Sequence, residues 1–326
     1  MSRQSGHDAG TMKTAESLLG RRPDRLEAFR PAVGGDDSHS FRLWSGTDQM
    51  LLKIKRGPGS PVGVYFHGRL QEAGLPVPEL IAFDSAGGPA GEACAVWEWV
   101  DGTPAEWGPG ELCPYDEAEL GELLRRVHDL RFDGAFGSLG DDLTSRSFPP
   151  LPDLGPVSDT WPGFFHCDRA AQRCFDKGYL DRQQADVLSS LPERLAGMLT
   201  PAGPRLLHMG DIMHNGNLIL RNGRIVAIVD YVESTAGDPR WELACFDYYF
   251  GALPFERARR FDMARFRAAY GTDHDPQDDL GRYYLLAVLV FEKLLWFDPG
   301  SERGRWAITK ARDILETFPR PCRREP

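Results

Sequence analysis

Residues 206–233 read LLHMGDIMHNGNLILRNGRIVAIVDYVE, and the order of polar groups in this stretch decides the fold. Two short apolar runs, LIL at 218–220 and IVAIV at 225–229, flank RNGR at 221–224. An Asn-Gly pair between apolar runs predicts a two-residue hairpin. Such a hairpin returns Asp230 beside Asn217. Upstream lie Asp211, His214 and Asn215. Phosphoryl transfer needs one carboxylate to aim a hydroxyl and accept its proton, and oxygen ligands to hold a cation against the phosphates. Asp211 fits the first role; the Asn217 amide and the Asp230 carboxylate fit the second. Each of these residues could singly be a turn former or a strand-end cap. That alternative does not explain their order relative to a lysine far upstream.

The upstream segment LEAFRPAVGGDDSHSFRLW (26–44) reads as strand, Gly-containing turn and strand, and QMLLKIKRG (49–57) as a third alternating run. The small residues of GGDDSHS (34–40) let the backbone approach a phosphate, with Ser38 adding a hydroxyl contact. Lys53, on the following strand, can meet phosphate oxygens as a point charge. VYFHGRLQEAG (64–74) has helical spacing and ends at Gly74, a residue suited to a left-handed cap. Two more strands are expected in LPVPELIAFDS (75–85) and EACAVWEWVDGT (92–103), making an α+β unit of about five strands over 1–98, with residues 1–20 partly disordered. From 99 to 326 helices dominate, beginning with DEAELGELLRRVHDL (116–130). FGSLGDDLTSRSFPPLPDLGPVSD (136–159) reads as a long surface loop, and the tail PRPCRREP (319–326) as frayed.

Bulk properties narrow the function classes. A net charge of −10 disfavours a nucleic-acid partner, which needs a basic face, and suits a cationic small substrate. No apolar run approaches the ~20 residues of a membrane helix, and the N-terminus has no signal-peptide pattern, so a soluble, cytoplasmic protein with no membrane partner is expected. The six cysteines have no CxxC spacing and read as free thiols.

The chain resembles the aminoglycoside phosphotransferase and choline-kinase-like family, small-molecule kinases on the protein-kinase fold. The likeness runs through GGDDSHSFRL, MLLKIK, GLPVPELIAF, AVWEWVDGTP, LLHMGDIMHNGNLIL, RIVAIVDYVE and GDPRWELA. It implies two lobes, a small antiparallel-sheet N-lobe and a larger, mostly helical C-lobe. It further implies that Lys53 contacts the nucleotide phosphates of ATP or GTP and that Glu98 to Val100 form a hinge whose backbone meets the base. Asp211 would be the catalytic base, Asn217 and Asp230 the Mg2+ ligands, and Asp238 a structural acid capping the next helix. His128 matches a family position and is expected to pack. His214, Glu233 and Trp161 are the candidates for acceptor binding. Three departures stand out. Asp211 follows His208 by three residues and the residue five beyond it is Gly216, so the metal amide is Asn217 or Asn215, with Asn217 preferred because GNLIL leads into a strand. No acid occurs from Arg56 to Gln71, where the family offers Lys53 a Glu, and Glu72 lies at the wrong end. Tyr231-Val232 replaces the usual aromatic-Gly pair.

The expected activity is transfer of the γ-phosphate of ATP or GTP to a hydroxyl of an antibiotic, an aminoglycoside or nucleoside type, by a monomer or homodimer. The alternatives are a metabolite kinase acting on choline, homoserine or a sugar amine, and a catalytically dead nucleotide-binding module.

Overall fold

The computed structural model describes residues 4–29, 38–55, 61–85, 93–106, 111–133, 136–139, 145–146, 167–199, 203–207, 212, 216–230, 235–252, 260–271, 275–294 and 298–319. Chain contacts divide it into two units. Met1–Trp107, Pro114–Asp116 and Asp211–Val232 form the first; Gly108–Cys113, Glu117–Gly210 and Glu233–Pro326 form the second.

In the first unit, β1 (Arg25–Phe29), β2 (Ser38–Ser45), β3 (Asp48–Lys55), β4 (Leu80–Asp84) and β5 (Cys94–Glu98) make one antiparallel sheet in the order β1-β2-β3-β5-β4. Side chains alternate across it with period two, so Leu43, Met50, Leu52, Ile54, Cys94 and Val96 collect on one face and are buried. Leu43, Leu52 and Val96 are each 0% exposed, and such burial contributes about 1.5–3 kcal/mol per large side chain. Helix α1 (Gln4–Leu19) covers this face, and its Ala15, Leu18 and Leu19 pack into the same cluster. Helix α2 (Pro61–Glu72) ends as the sequence predicts. Gly74 takes φ 66° and the Leu75 N–H reaches back to the Leu70 carbonyl at 3.0 Å, satisfying an end carbonyl of the helix. The Asn-Gly hairpin is also present: β10 (Leu218–Arg221) pairs with β11 (Arg224–Ile228), and Asn222 and Gly223 have φ of 53° and 74°.

The second unit is mostly helical, with α3 (Glu117–His128), α4 (Cys167–Asp176), α5 (Arg182–Arg194), α6 (Pro239–Phe246), α7 (Met263–Tyr270), α8 (Asp279–Ala287) and α9 (Glu302–Glu316). Helices α6 and α8 run on directly as π-helical segments, Asp247–Ala252 and Val288–Leu294. The segment read as a long loop holds two short strands, β7 (Gly137–Leu139) and β8 (Ser145–Arg146). They join β9 (Arg205–Leu207) and β12 (Thr235–Gly237) in a sheet of order β8-β7-β12-β9. Residues 320–326 of the tail lie outside the described residues.

Asp238 does cap α6. Its carboxylate accepts from the Arg240 N–H at 3.0 Å and from the Tyr284 hydroxyl at 2.7 Å, and Arg240 forms an ion pair with it. His128 does more than pack. Its Nδ1 bonds the Tyr270 hydroxyl at 2.8 Å and its Nε2 the Glu242 carboxylate at 2.9 Å, with Glu242 0% exposed. This knot ties α3, α6 and α7 together. His128→Ala is expected to destabilise the protein by about 2–4 kcal/mol, because two buried polar groups each lose a partner where water cannot replace it. A thermal midpoint within 2 °C of wild type would contradict it. Cys167 and Cys174 are free thiols, and burial pushes both up to about 12, which makes them inert as nucleophiles at neutral pH.

Candidate active site

Lys53 sits in the middle of β3, between Ser40 of β2 and Ala95 of β5. Its neighbours Leu52 and Ile54 point into the core under α1, so Lys53 stands on the opposite face and is half-buried. Among the described residues it has no ion pair. Helix α2 meets this same face through His67, whose ring lies edge-on to Trp97 with centroids 4.6 Å apart and whose Nε2 bonds the Pro78 carbonyl. Burial lowers the His67 pKa, opposed by that carbonyl contact. The helix brings Lys53 no carboxylate. Glu72, the last residue of α2, pairs instead with Arg69 at 3.7 Å.

At the end of β5 the chain enters the segment 98–100. The Glu98 N–H donates to the Glu79 carbonyl at 2.8 Å and the Trp99 N–H to the Gln49 carbonyl at 3.2 Å, which holds this segment to both neighbouring strands. The Glu98 carboxylate, exposed, accepts from the Glu79 N–H at 3.2 Å; Val100 is half-buried. The Trp99 ring is stacked under the Arg42 guanidinium, 4.0 Å from the ring centroid, and meets the edge of Phe29 at 5.3 Å. Its Nε1 donates to Asp101 at 3.2 Å. Sequence reasoning missed this stack. Its signal was the alternation that puts Arg42, Trp44 and Lys53 on one face of the sheet.

The hairpin supplies the other groups. Asn217 precedes β10 and is half-buried; the Val229 N–H donates to its carbonyl at 2.9 Å. Asp230, the next residue, is therefore beside Asn217, is exposed, and takes φ 67°. A non-glycine residue in the left-handed region is uncommon, and Asp and Asn tolerate it best. One amide oxygen and one carboxylate at adjacent strand ends are hard donors, a set that could hold a divalent cation which keeps waters and phosphate oxygens as its other ligands. Two further bonds anchor the hairpin: the Ile228 N–H donates to the Pro76 carbonyl at 2.8 Å, and the Gly216 N–H to the Ala105 carbonyl at 3.1 Å. Ile212, just upstream in the chain, is 0% exposed. Ser38 opens β2 opposite Lys55. Asp211, His214, Asn215, Glu233 and Trp161 lie outside the described residues. The structure thus brings Lys53, Glu98, Val100, Asn217 and Asp230 into one unit.

Residues 28–285 match the phosphotransferase enzyme family, APH. The chain belongs to that family, and it is a phosphotransferase. Solved structures with the same fold include the aminoglycoside phosphotransferase APH(4)-Ia as a thermostable variant in ternary complex with AMP-PNP and hygromycin B, at 16% identity over 94% of this chain and 98% of that one, TM-score 0.62. A protein assigned as a fructosamine-3-kinase from Thermobifida fusca YX-ER1 is 20% identical over 92% and 96%, TM-score 0.59. The spectinomycin phosphotransferase APH(9)-Ia, with ADP and spectinomycin, is 15% identical over 94% and 95%, TM-score 0.51. No curated protein matches. This phosphotransferase accordingly has the expected α+β class, with an antiparallel-sheet N-terminal region and a helical C-terminal region. None of its described helices is long and apolar enough to cross a membrane.

Proposed function

We propose that this chain is a cytoplasmic, Mg2+-dependent small-molecule kinase that moves the γ-phosphate of ATP or GTP to a hydroxyl of an antibiotic, an aminoglycoside or nucleoside type. The observation that carries the kinase mechanism is the Val229 to Asn217 hydrogen bond, which sets a carboxylate beside an amide at the end of one hairpin. Asn217 and Asp230 hold the metal, and Mg2+ bound there supplies charge neutralisation of the phosphate oxygens. Lys53, half-buried on the sheet face opposite α1 and without an ion pair among the described residues, has its charge available for the nucleotide phosphates. The backbone of Glu98 and Val100 takes the base, and Ser38 is assigned to the phosphates. Asp211 orients the acceptor hydroxyl and takes its proton as the oxygen attacks the phosphorus. His214, Glu233 and Trp161 are assigned to the acceptor, whose amines suit a protein of net charge −10.

A sugar-amine kinase is the second reading, favoured by the likeness to the protein assigned as a fructosamine-3-kinase. The absent α2 acid favours the third, a nucleotide-binding module without turnover. One screen separates the three: coupled release of ADP or GDP with aminoglycosides, nucleoside and peptide antibiotics, choline and ketosamines as acceptors. Stimulation several-fold above background by an antibiotic is expected. Stimulation by a ketosamine or choline alone moves the assignment to metabolite kinase. Nucleotide binding with no stimulation by any compound leaves the binding module.

A further inference from the structure

The segment leaving the hinge does not run free. Residues Thr103–Pro104 form a two-residue strand, β6, paired antiparallel with β10 at Leu220 and Ile219. The pairing continues on both sides. The Ala105 N–H donates to the Leu218 carbonyl at 2.7 Å, and the Ala105 carbonyl accepts from Gly216 at 3.1 Å. At the hinge end, Arg221 closes the strap with a two-pronged bond: its Nε and Nη2 lie 2.9 and 2.7 Å from the Asp101 carbonyl. Between these, Gly102 presses on the hairpin backbone, where a Cβ would stand 2.6 Å from the Leu220 carbonyl oxygen and 2.6 Å from the Ile219 side chain. A bulge in the β10–β11 pairing falls at Ile219/Leu220, the same two residues that the strap contacts.

The consequence is a continuous hydrogen-bonded path from Glu98 to Asn217. Glu98 and Trp99 are pinned to β4 and β3, Asp101 to Arg221, and Ala105 to the residues flanking Asn217. We propose that residues 101–105 act as a registration strap that fixes the span between the base-binding hinge and the Asn217–Asp230 pair, with Arg221 and Gly102 as its positioning residues. This rests on the nucleotide-site assignment above. A nucleoside triphosphate must touch both ends at once, so an error in that span weakens the triphosphate while leaving a ligand that touches only the hinge unaffected.

Calorimetric titration of wild type and Arg221→Ala with adenosine, and with AMP-PNP plus Mg2+, tests it. Arg221→Ala is expected to bind adenosine within about twofold of wild type and AMP-PNP with Mg2+ about tenfold more weakly, the loss matching a forked, charge-assisted hydrogen bond. Arg221→Lys, which keeps the charge and one donor, is expected to recover part of the loss, and Gly102→Ala to reproduce it, since the added methyl must push the strap off β10. Equal affinity of wild type and Arg221→Ala for both ligands overturns the strap and leaves the nucleotide site standing. So does an equal loss for both ligands, which reports general loosening. A wild-type protein that binds neither ligand removes the hinge assignment and the strap with it.

Discussion

Asp230→Asn is expected to fold normally and to lose about 10²–10³-fold in turnover, since the substitution would remove the negative charge of the metal ligand proposed above. Folding is protected by geometry. Asp230 is exposed and holds φ 67°, a left-handed conformation that Asn accepts as readily as Asp, so the replacement removes a charge and little else. Neighbouring contacts survive as well, because the Val229 N–H to Asn217 carbonyl bond is backbone to backbone. Asp230→Ala adds a backbone cost on top, as a Cβ without a polar group gains nothing in this region, and Asp230→Gly relieves it. The ordering expected for thermal stability is therefore Gly and Asn at or near wild type with Ala below, whereas turnover is low in all three. Magnesium titration of the residual activity completes the test: the concentration for half-maximal rate should rise at least several-fold in Asp230→Asn. Turnover within tenfold of wild type, at unchanged magnesium dependence, would remove Asp230 from the metal site.

What could be seen in the sequence divides by the range over which its cause acts. The Asn222-Gly223 turn, the Gly74 cap and the alternation through β3 are set by residues within a few positions of one another, and each is found as expected. Helix α1 was missed because its buried side is built from Thr11, Thr14, Ala15 and two leucines at its end, too few apolar residues for periodicity to register. Strands β6, β7, β8 and β12 are two or three residues long, and no alternation can be read from so short a segment; they exist through partners far away in the chain. Pro104 further disguised β6, which tolerates a proline because it pairs only with β10 and lies at the sheet edge. The site divides in the same way. That Asn217 and Asp230 lie side by side was legible because one short hairpin joins them. For the Arg42–Trp99 stack, alternation gives only the sheet face of Arg42, and its pairing with Trp99, like the Arg221–Asp101 fork, depends on register between segments distant in the chain. The missing acid of α2 was legible as an absence, and the structure adds that Glu72 is engaged with Arg69.

Asp211→Ala provides the complementary test, because the two acids are assigned opposite effects on ground-state binding. A general base acts on the acceptor hydroxyl in the transition state, so its removal is expected to lower turnover by about 10²–10⁴-fold while nucleotide affinity stays within about twofold of wild type. A metal ligand acts on the bound triphosphate before transfer begins, so Asp230→Asn is expected to weaken AMP-PNP binding in the presence of Mg2+ as well as turnover. Asp211→Asn sharpens the distinction. The amide keeps the size of the side chain and can still hydrogen-bond the hydroxyl, but it cannot accept the proton, so its turnover should fall nearly as far as that of the alanine variant. Two measurements on each variant suffice, single-turnover phosphoryl transfer to the best acceptor from the screen and calorimetric AMP-PNP affinity. Loss of both in Asp211→Ala would assign Asp211 to nucleotide or metal binding in place of proton transfer. Normal turnover in that variant would sink the base assignment, and with it the reason for an acid at that position between His208 and Asn217.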